Sequence, residues 1–185
     1  MALTNGLNIM GSMMIQMTFS SIAQEIADSY GHTSTFMVNG CAIAFIFLNI
    51  PMTVVSIWAF QTFSITSVMR VGAILQFAGS LFRMVTFING EFWPVLVGTC
   101  FVAAAKPIFI SSASMIANRW FADNERATSQ VVQDINAVTG PALIIIISGI
   151  VFSEEDRDSR QCLYKLMMIQ NIILTVSSII FITVM

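Results

Sequence analysis

Between Asp28 and Arg70 the chain carries no Asp, Glu, Lys or Arg, and His32 is the only residue there that can ionise even partly. A helix crosses the hydrocarbon of a bilayer in about 20 residues, so this stretch alone is longer than one crossing. The rest has the same character. Hydrophobic residues make up 56% of the 185 and charged residues 10%, with a mean hydropathy of +0.82, which leaves too few charges to clothe a water-facing surface. Lipid is the solvent this composition fits. A membrane β-barrel would alternate apolar and polar residues in short segments, whereas Ala142-Leu-Ile-Ile-Ile-Ile-Ser-Gly-Ile-Val-Phe152 is apolar almost without interruption, so the expected class is an all-α, multi-pass integral membrane protein.

Polar interruptions divide the chain into six spans of one transmembrane domain, at about 3–27, 34–58, 66–88, 92–115, 127–152 and 162–185. Glu25 and Asp28 close the first span at an interface, and His32 falls in a short loop. Asn89-Gly90-Glu91 separates the third span from the fourth, Asn118 to Arg126 form the next turn, and the charged loop Ser153 to Arg160 precedes the last span. Arg70, Arg119 and Arg126 fall on one side, against Arg157 and Arg160 with Lys165 on the other. The count leans towards cytosolic termini, with the loops after spans two and four on the same side.

Several function classes drop out. The net charge is −2 and the basic residues are scattered, so nucleic acid is not an expected partner. Cys41, Cys100 and Cys162 have no C-x-x-C spacing and read as packing residues, neither disulfides nor metal ligands. With one loop histidine and no nucleophile or carboxylate constellation at catalytic spacing, an enzyme is not expected, and neither is a cofactor or a metal.

What remains is the pattern of polar residues inside the spans. Span five carries Gln130, Gln133, Asp134, Ala137 and Gly140 at helical spacing, and span three carries Gly72, Gln76, Gly79, Ser80 and Arg83 in the same kind of stripe. Span one offers Ser12, Gln16, Ser20 and Gln24, and span two Asn39 and Asn49. Amides and small residues also serve to join helices in membranes. Ionisable residues are different, because a charge at the bilayer centre costs about 2.5–3.5 kcal/mol on insertion scales. Lys106 is the sharpest case, deep in span four and followed by Pro107, which removes a helical donor beside the charge. Asp134 is its expected ion-pair partner, while Arg83, nearer a span end, has the reach to snorkel. The expected solute-binding set is Lys106, Gln16, Asp134, Gln133, Gln130, Gln76 and Asn39.

The segment Trp120-Phe121-Ala-Asp-Asn-Glu-Arg126-Ala127-Thr128 resembles the W-F-x-x-x-x-R-A-[ST] loop after helix four of the feline leukaemia virus subgroup C receptor-related family, which are twelve-helix major facilitator superfamily transporters. Tyr30-Gly31, Gly98-x-Cys100, Ala105-Lys106-Pro107 and Gly140 extend the likeness over nearly the whole chain. The resemblance implies the N-terminal six-helix half of that fold, built as two inverted three-helix repeats, with spans one and four lining the solute route. In the choline-transporting members, an aromatic residue of helix one and a glutamine of helix four cradle a quaternary ammonium. Gln16 and Lys106 stand at those positions here, and a lysine repels such a cation, so an anionic or zwitterionic solute is expected. The turn between spans two and three also departs from the superfamily pattern: Trp58-Ala-Phe-Gln-Thr-Phe-Ser-Ile-Thr66 places Gln61 where an aspartate is usual.

The expected function is transport of a small organic solute across the bilayer, with a missing C-terminal half or a second copy of the chain as the partner of this half. The alternative is a membrane interaction or accessory protein that has kept the helices and lost transport.

Overall fold

A computed structural model describes residues 2–21, 35–89, 91–152 and 159–184. They form six helices: α1 Ala2–Ser21, α2 Thr35–Thr62, α3 Ile65–Asn89, α4 Trp93–Trp120, α5 Arg126–Phe152 and α6 Ser159–Val184. The expectations placed on Glu25, Asp28, Tyr30-Gly31, His32, Gly90 and most of the loop Ser153 to Arg160 lie outside the described residues. α4 runs through Asn118 and Arg119 to Trp120 and stops where Phe121 turns extended (φ −121°, ψ 145°), its N–H still bonded to the Ala117 carbonyl. The polar turn that follows is therefore shorter than the sequence suggests, because a helix end tolerates polar residues once it leaves the apolar layer.

Five of these helices, α2 to α6, are long and apolar enough to cross a membrane. The described part of α1 is not among them, because Asn5, Asn8, Ser12, Gln16 and Thr18 dilute its apolar residues. Asn5, Asn8 and Ser12 are fully buried and Thr18 is 1% exposed, so the polar content of α1 faces neighbouring helices. α4 is the other interior helix: 61% of its most apolar window is inside the protein, against 17% for α2 and α5. Small residues make this possible, since Gly98, Ala103, Ala105, Ser112, Ala113 and Ala117 all lie on its buried surface.

The helices pair in a regular way. α3 packs on α4 and α6 on α1; α1 packs on α5 and α4 on α2; α1 meets α2 and α4 meets α5; α2 meets α3 and α5 meets α6; α1 touches α4, and α3 touches α6. Exchanging α1, α2 and α3 for α4, α5 and α6 returns the same set of pairs. The tightest crossing is between α3 and α4, where a Cβ on Gly98 would lie 2.5 Å from the Gly79 carbonyl oxygen and one on Gly79 would lie 2.7 Å from the Gly98 carbonyl oxygen. Only hydrogen fits at either position. Two apolar clusters fill the bundle, one around Met14, Phe45, Val102 and Leu166, the other around Met69, Ile108, Phe109 and Phe181.

Ala2 and Leu3 line a groove with Phe121, Glu125, Thr128, Ser129 and Val132, so the start of α1 sits at the end of the bundle that carries the α4–α5 turn. The α2–α3 turn shares that end, and the α3–α4 turn lies at the other, one helix length away. Single cysteines replacing the exposed Glu91 and Glu125 in a cysteine-free background are expected to label from opposite faces of a sealed membrane. Labelling of both from one face would contradict this arrangement.

Candidate solute-binding site

Lys106 lies thirteen residues into α4 and fourteen from its end, about 20 Å from either terminus at 1.5 Å per residue. Snorkelling cannot bring an ammonium out from there, and its side chain is only 7% exposed. Two helices receive it. The Gln16 side chain of α1 accepts a hydrogen bond from Nζ at 2.5 Å, and the buried ring of Phe45 on α2 places its centroid 5.9 Å from the same nitrogen, within the range of a cation–π contact. Pro107 follows and leaves the Ala103 carbonyl without its helical donor. An ammonium has three donors, and Gln16 takes one of them. Among the described residues no carboxylate joins it.

The expected Lys106–Asp134 ion pair does not form. Asp134 is exposed on α5 and receives only a long hydrogen bond from Gln130 Nε2, at 3.4 Å. The reason lies in the helix. Gln133 points inward at 1% exposure, and the next residue of a helix is rotated by about 100°, which turns Asp134 away from α1 and α4. Arg83 departs from expectation in the opposite sense: it does not snorkel but is fully buried, and donates from Nη2 to Gln170 Oε1 on α6 at 3.2 Å. Gln170 in turn donates to the Thr18 hydroxyl of α1.

The other predicted site residues are distributed as follows. Gln133 accepts from Asn5 Nδ2 at 2.6 Å and donates to the Ala113 carbonyl at 3.4 Å and the Ser129 carbonyl at 3.3 Å, while the Ser112 hydroxyl donates to Asn5 Oδ1 at 3.2 Å. That cluster knits α1, α4 and α5 together. Gln76 is fully buried and donates to the Asn8 carbonyl at 3.2 Å, and Asn8 Oδ1 accepts from Ser177 at 3.1 Å, joining α1, α3 and α6. Gln130 is half-buried and Asn39 is exposed on α2. Of the seven residues, Lys106 and Gln16 are brought together from different helices, whereas Gln130 and Asp134 meet only along α5.

Phe45, Asn5, Asn8 and Gln170 are participants that sequence reasoning passed over. Asn5, Asn8 and Ser12 fall at i, i+3 and i+7 on α1, a signal that could have been read. Gln170 and Asn171 recur two turns later as Ser177 and Ser178 on α6, a second such signal, whereas Phe45 sits in an apolar run and carries none.

No family model matches the chain. It is 23% identical over 151 residues to Solute carrier family 49 member A3 of Xenopus tropicalis, an alignment that covers 77% of this chain and 31% of that protein. To the protein of the same name from Danio rerio it is 23% identical over 145 residues, covering 76% and 30%. The chain thus spans less than a third of the length of these curated relatives. Distant likeness to solute carriers and five long apolar helices agree on one conclusion: this is an integral, multi-pass membrane protein.

Proposed function

We propose that the chain is one six-helix half of a major facilitator-type secondary transporter and that it binds a small anionic or zwitterionic organic solute at Lys106. The observation that carries this reading is a mid-span ammonium held by an amide and an aromatic ring, with no carboxylate beside it among the described residues. An acidic partner is the usual offset for the insertion cost of a structural lysine, and none stands here among the described residues. A solute carboxylate or phosphate oxygen supplies that missing charge, and the two remaining Nζ donors are suited to it.

Further support comes from the exchange symmetry of the helix pairing, which suits two inverted three-helix repeats, and from the likeness to solute carriers. In such a transporter one six-helix half rocks against another around a shared site, so the functional unit needs a second half, from a longer chain or a second copy. The lightly buried α2 and α5 offer the faces for it.

The test is equilibrium binding to the purified protein, using a panel of small carboxylates, amino acids and choline, with flux measured in liposomes. Carboxylates or zwitterions are expected to bind and choline to be rejected, and a strictly monomeric 185-residue preparation is expected to bind without carrying. Choline bound in preference to every anion would overturn the assignment of charge; flux by the monomer would overturn the need for a second half. The uncharged α2–α3 turn, with Gln61 exposed, favours one other reading, a non-transporting interaction protein. It would be preferred if a folded sample bound none of the panel.

A further inference from the structure

α2 and α3 are joined by the short turn at Phe63 and Ser64, yet from there they diverge, because α2 packs mainly on α4. Ser56 marks that lean, its hydroxyl 3.4 Å from that of Ser111 on α4. The divergence leaves a groove of about 300 Å³ between α2 and α3, with Ile108 of α4 at its floor. Its walls are apolar: Met52, Val55 and Ala59 on one side, Val68, Val71 and Leu75 on the other. Val71 is 54% exposed, so the groove opens on the outer surface of the bundle, where the medium is hydrocarbon. From Ser67 to Leu75 it runs about 12 Å along α3, long and narrow.

The two ends of the groove differ. At the α2–α3 turn the Ser64 and Ser67 hydroxyls lie 2.8 Å apart and exposed, Ser64 Oγ accepts from the Ser67 N–H at the start of α3, and the exposed Arg70 follows one turn later. Hydroxyls, a guanidinium and the positive end of a helix complement a phosphate. The other end carries no charge.

We infer that this groove holds one acyl chain of an anionic glycerophospholipid, with its headgroup phosphate at Ser64, Ser67 and Arg70. The polarity of the groove selects this occupant. A small polar solute would gain nothing from the apolar walls, and a sterol hydroxyl would make no use of the guanidinium. The site is separate from Lys106, although its floor, Ile108, lies two residues further along α4 and rests against Gly72 of α3. The inference does not depend on what Lys106 binds.

The full chain, reconstituted in nanodiscs, is to be exposed to a phosphatidylserine probe bearing a diazirine near the end of one acyl chain. Labelled peptides are then mapped by mass spectrometry. Labelling is expected to concentrate on residues 52–75 and to fall at least fivefold in Val71→Trp, whose ring fills the groove from an exposed position. Ala59→Trp fills it from the other wall. Size-exclusion profiles show which variants remain folded, and Val71→Trp is the one least exposed to misfolding. Arg70→Gln should lower labelling by the phosphatidylserine probe more than labelling by a phosphatidylcholine probe, which shares the phosphate but carries no net charge. Labelling spread evenly over the outer faces of α2, α5 and α6, or equal in wild type and a folded Val71→Trp, would overturn the proposal, as would displacement by sterol but not by phosphatidylserine.

Discussion

Lys106→Ala is expected to lower affinity for the solute by tenfold to a hundredfold or more while leaving the bundle folded. Hydrogen bonds to a charged group contribute about 1.5–3 kcal/mol, and each 1.4 kcal/mol or so is a factor of ten in affinity. The fold should tolerate the change, since alanine is easier to bury in a membrane than an ammonium and the partner left behind, Gln16, is half-buried and neutral. Calorimetric titration of wild type and variant measures the loss. Lys106→Gln is the informative companion: it introduces the glutamine expected at this position from the resemblance to choline-transporting proteins, removes the repulsion, and should admit a quaternary ammonium that the wild type is expected to reject. Because Asp134 is exposed and remote from the inward face of α5, Lys106→Ala combined with Asp134→Asn should bind no better than Lys106→Ala alone. Rescue in the double variant would show that the two charges are coupled after all.

The largest effect on stability is expected at Gly98. A methyl group there would meet the Gly79 carbonyl oxygen at 2.5 Å and Arg83 Cγ at 2.6 Å. The first obstacle is backbone and cannot swing aside, so α3 and α4 must separate along their whole crossing. Overpacking of this kind costs about 1–3 kcal/mol for Gly98→Ala, and Gly98→Val should give little folded protein. The control is Gly149→Ala on α5, where nothing lies within 4 Å of the added Cβ and the gain in helix propensity should leave the melting temperature equal or higher. Thermal unfolding in detergent, followed by size exclusion, reads both. Equal melting temperatures for Gly98→Ala and wild type would mean that the crossing is looser than described.

The sequence revealed periodicity well and neighbours poorly. The α3 stripe Gly72, Gln76, Gly79, Ser80 and Arg83 is buried along its length, because residues at those intervals share a face whatever lies opposite. On α5 the same reasoning grouped Gln133 with Asp134, yet adjacent residues diverge by about 100°, and only packing against α1 decides which one turns inward. The depth of Lys106 could be counted from the chain, but the nature of its partner could not: an acidic residue is the electrostatic first choice, and the answer was an amide on a helix ninety positions away. Arg83 taught the converse, since a cation near a span end has the reach to snorkel and instead found Gln170. That glutamine begins a polar repeat of α6, Gln170 and Asn171 with Ser177 and Ser178 two turns on, all buried, a signal that was there to be read.

The buried amides of α1 bear on how the chain is made. Asn5 finds its partners on α4 and α5, 104 to 128 positions downstream, and the Asn8 side chain meets the serines of α6 at separations of 169 and 170. At about 5–20 residues per second of synthesis, that interval is roughly ten to thirty seconds. Through that time α1 is already made, and Asn8 has only the bond from its Nδ2 to the Thr4 carbonyl of its own helix. The side-chain carbonyl oxygen of Asn8 gains its hydroxyl donors only when α6 has emerged, so α1 is expected to need shelter from lipid until then. A ribosome that stalls before α6 would leave Asn8 without its hydroxyl donors, a defect that membrane quality control is equipped to notice.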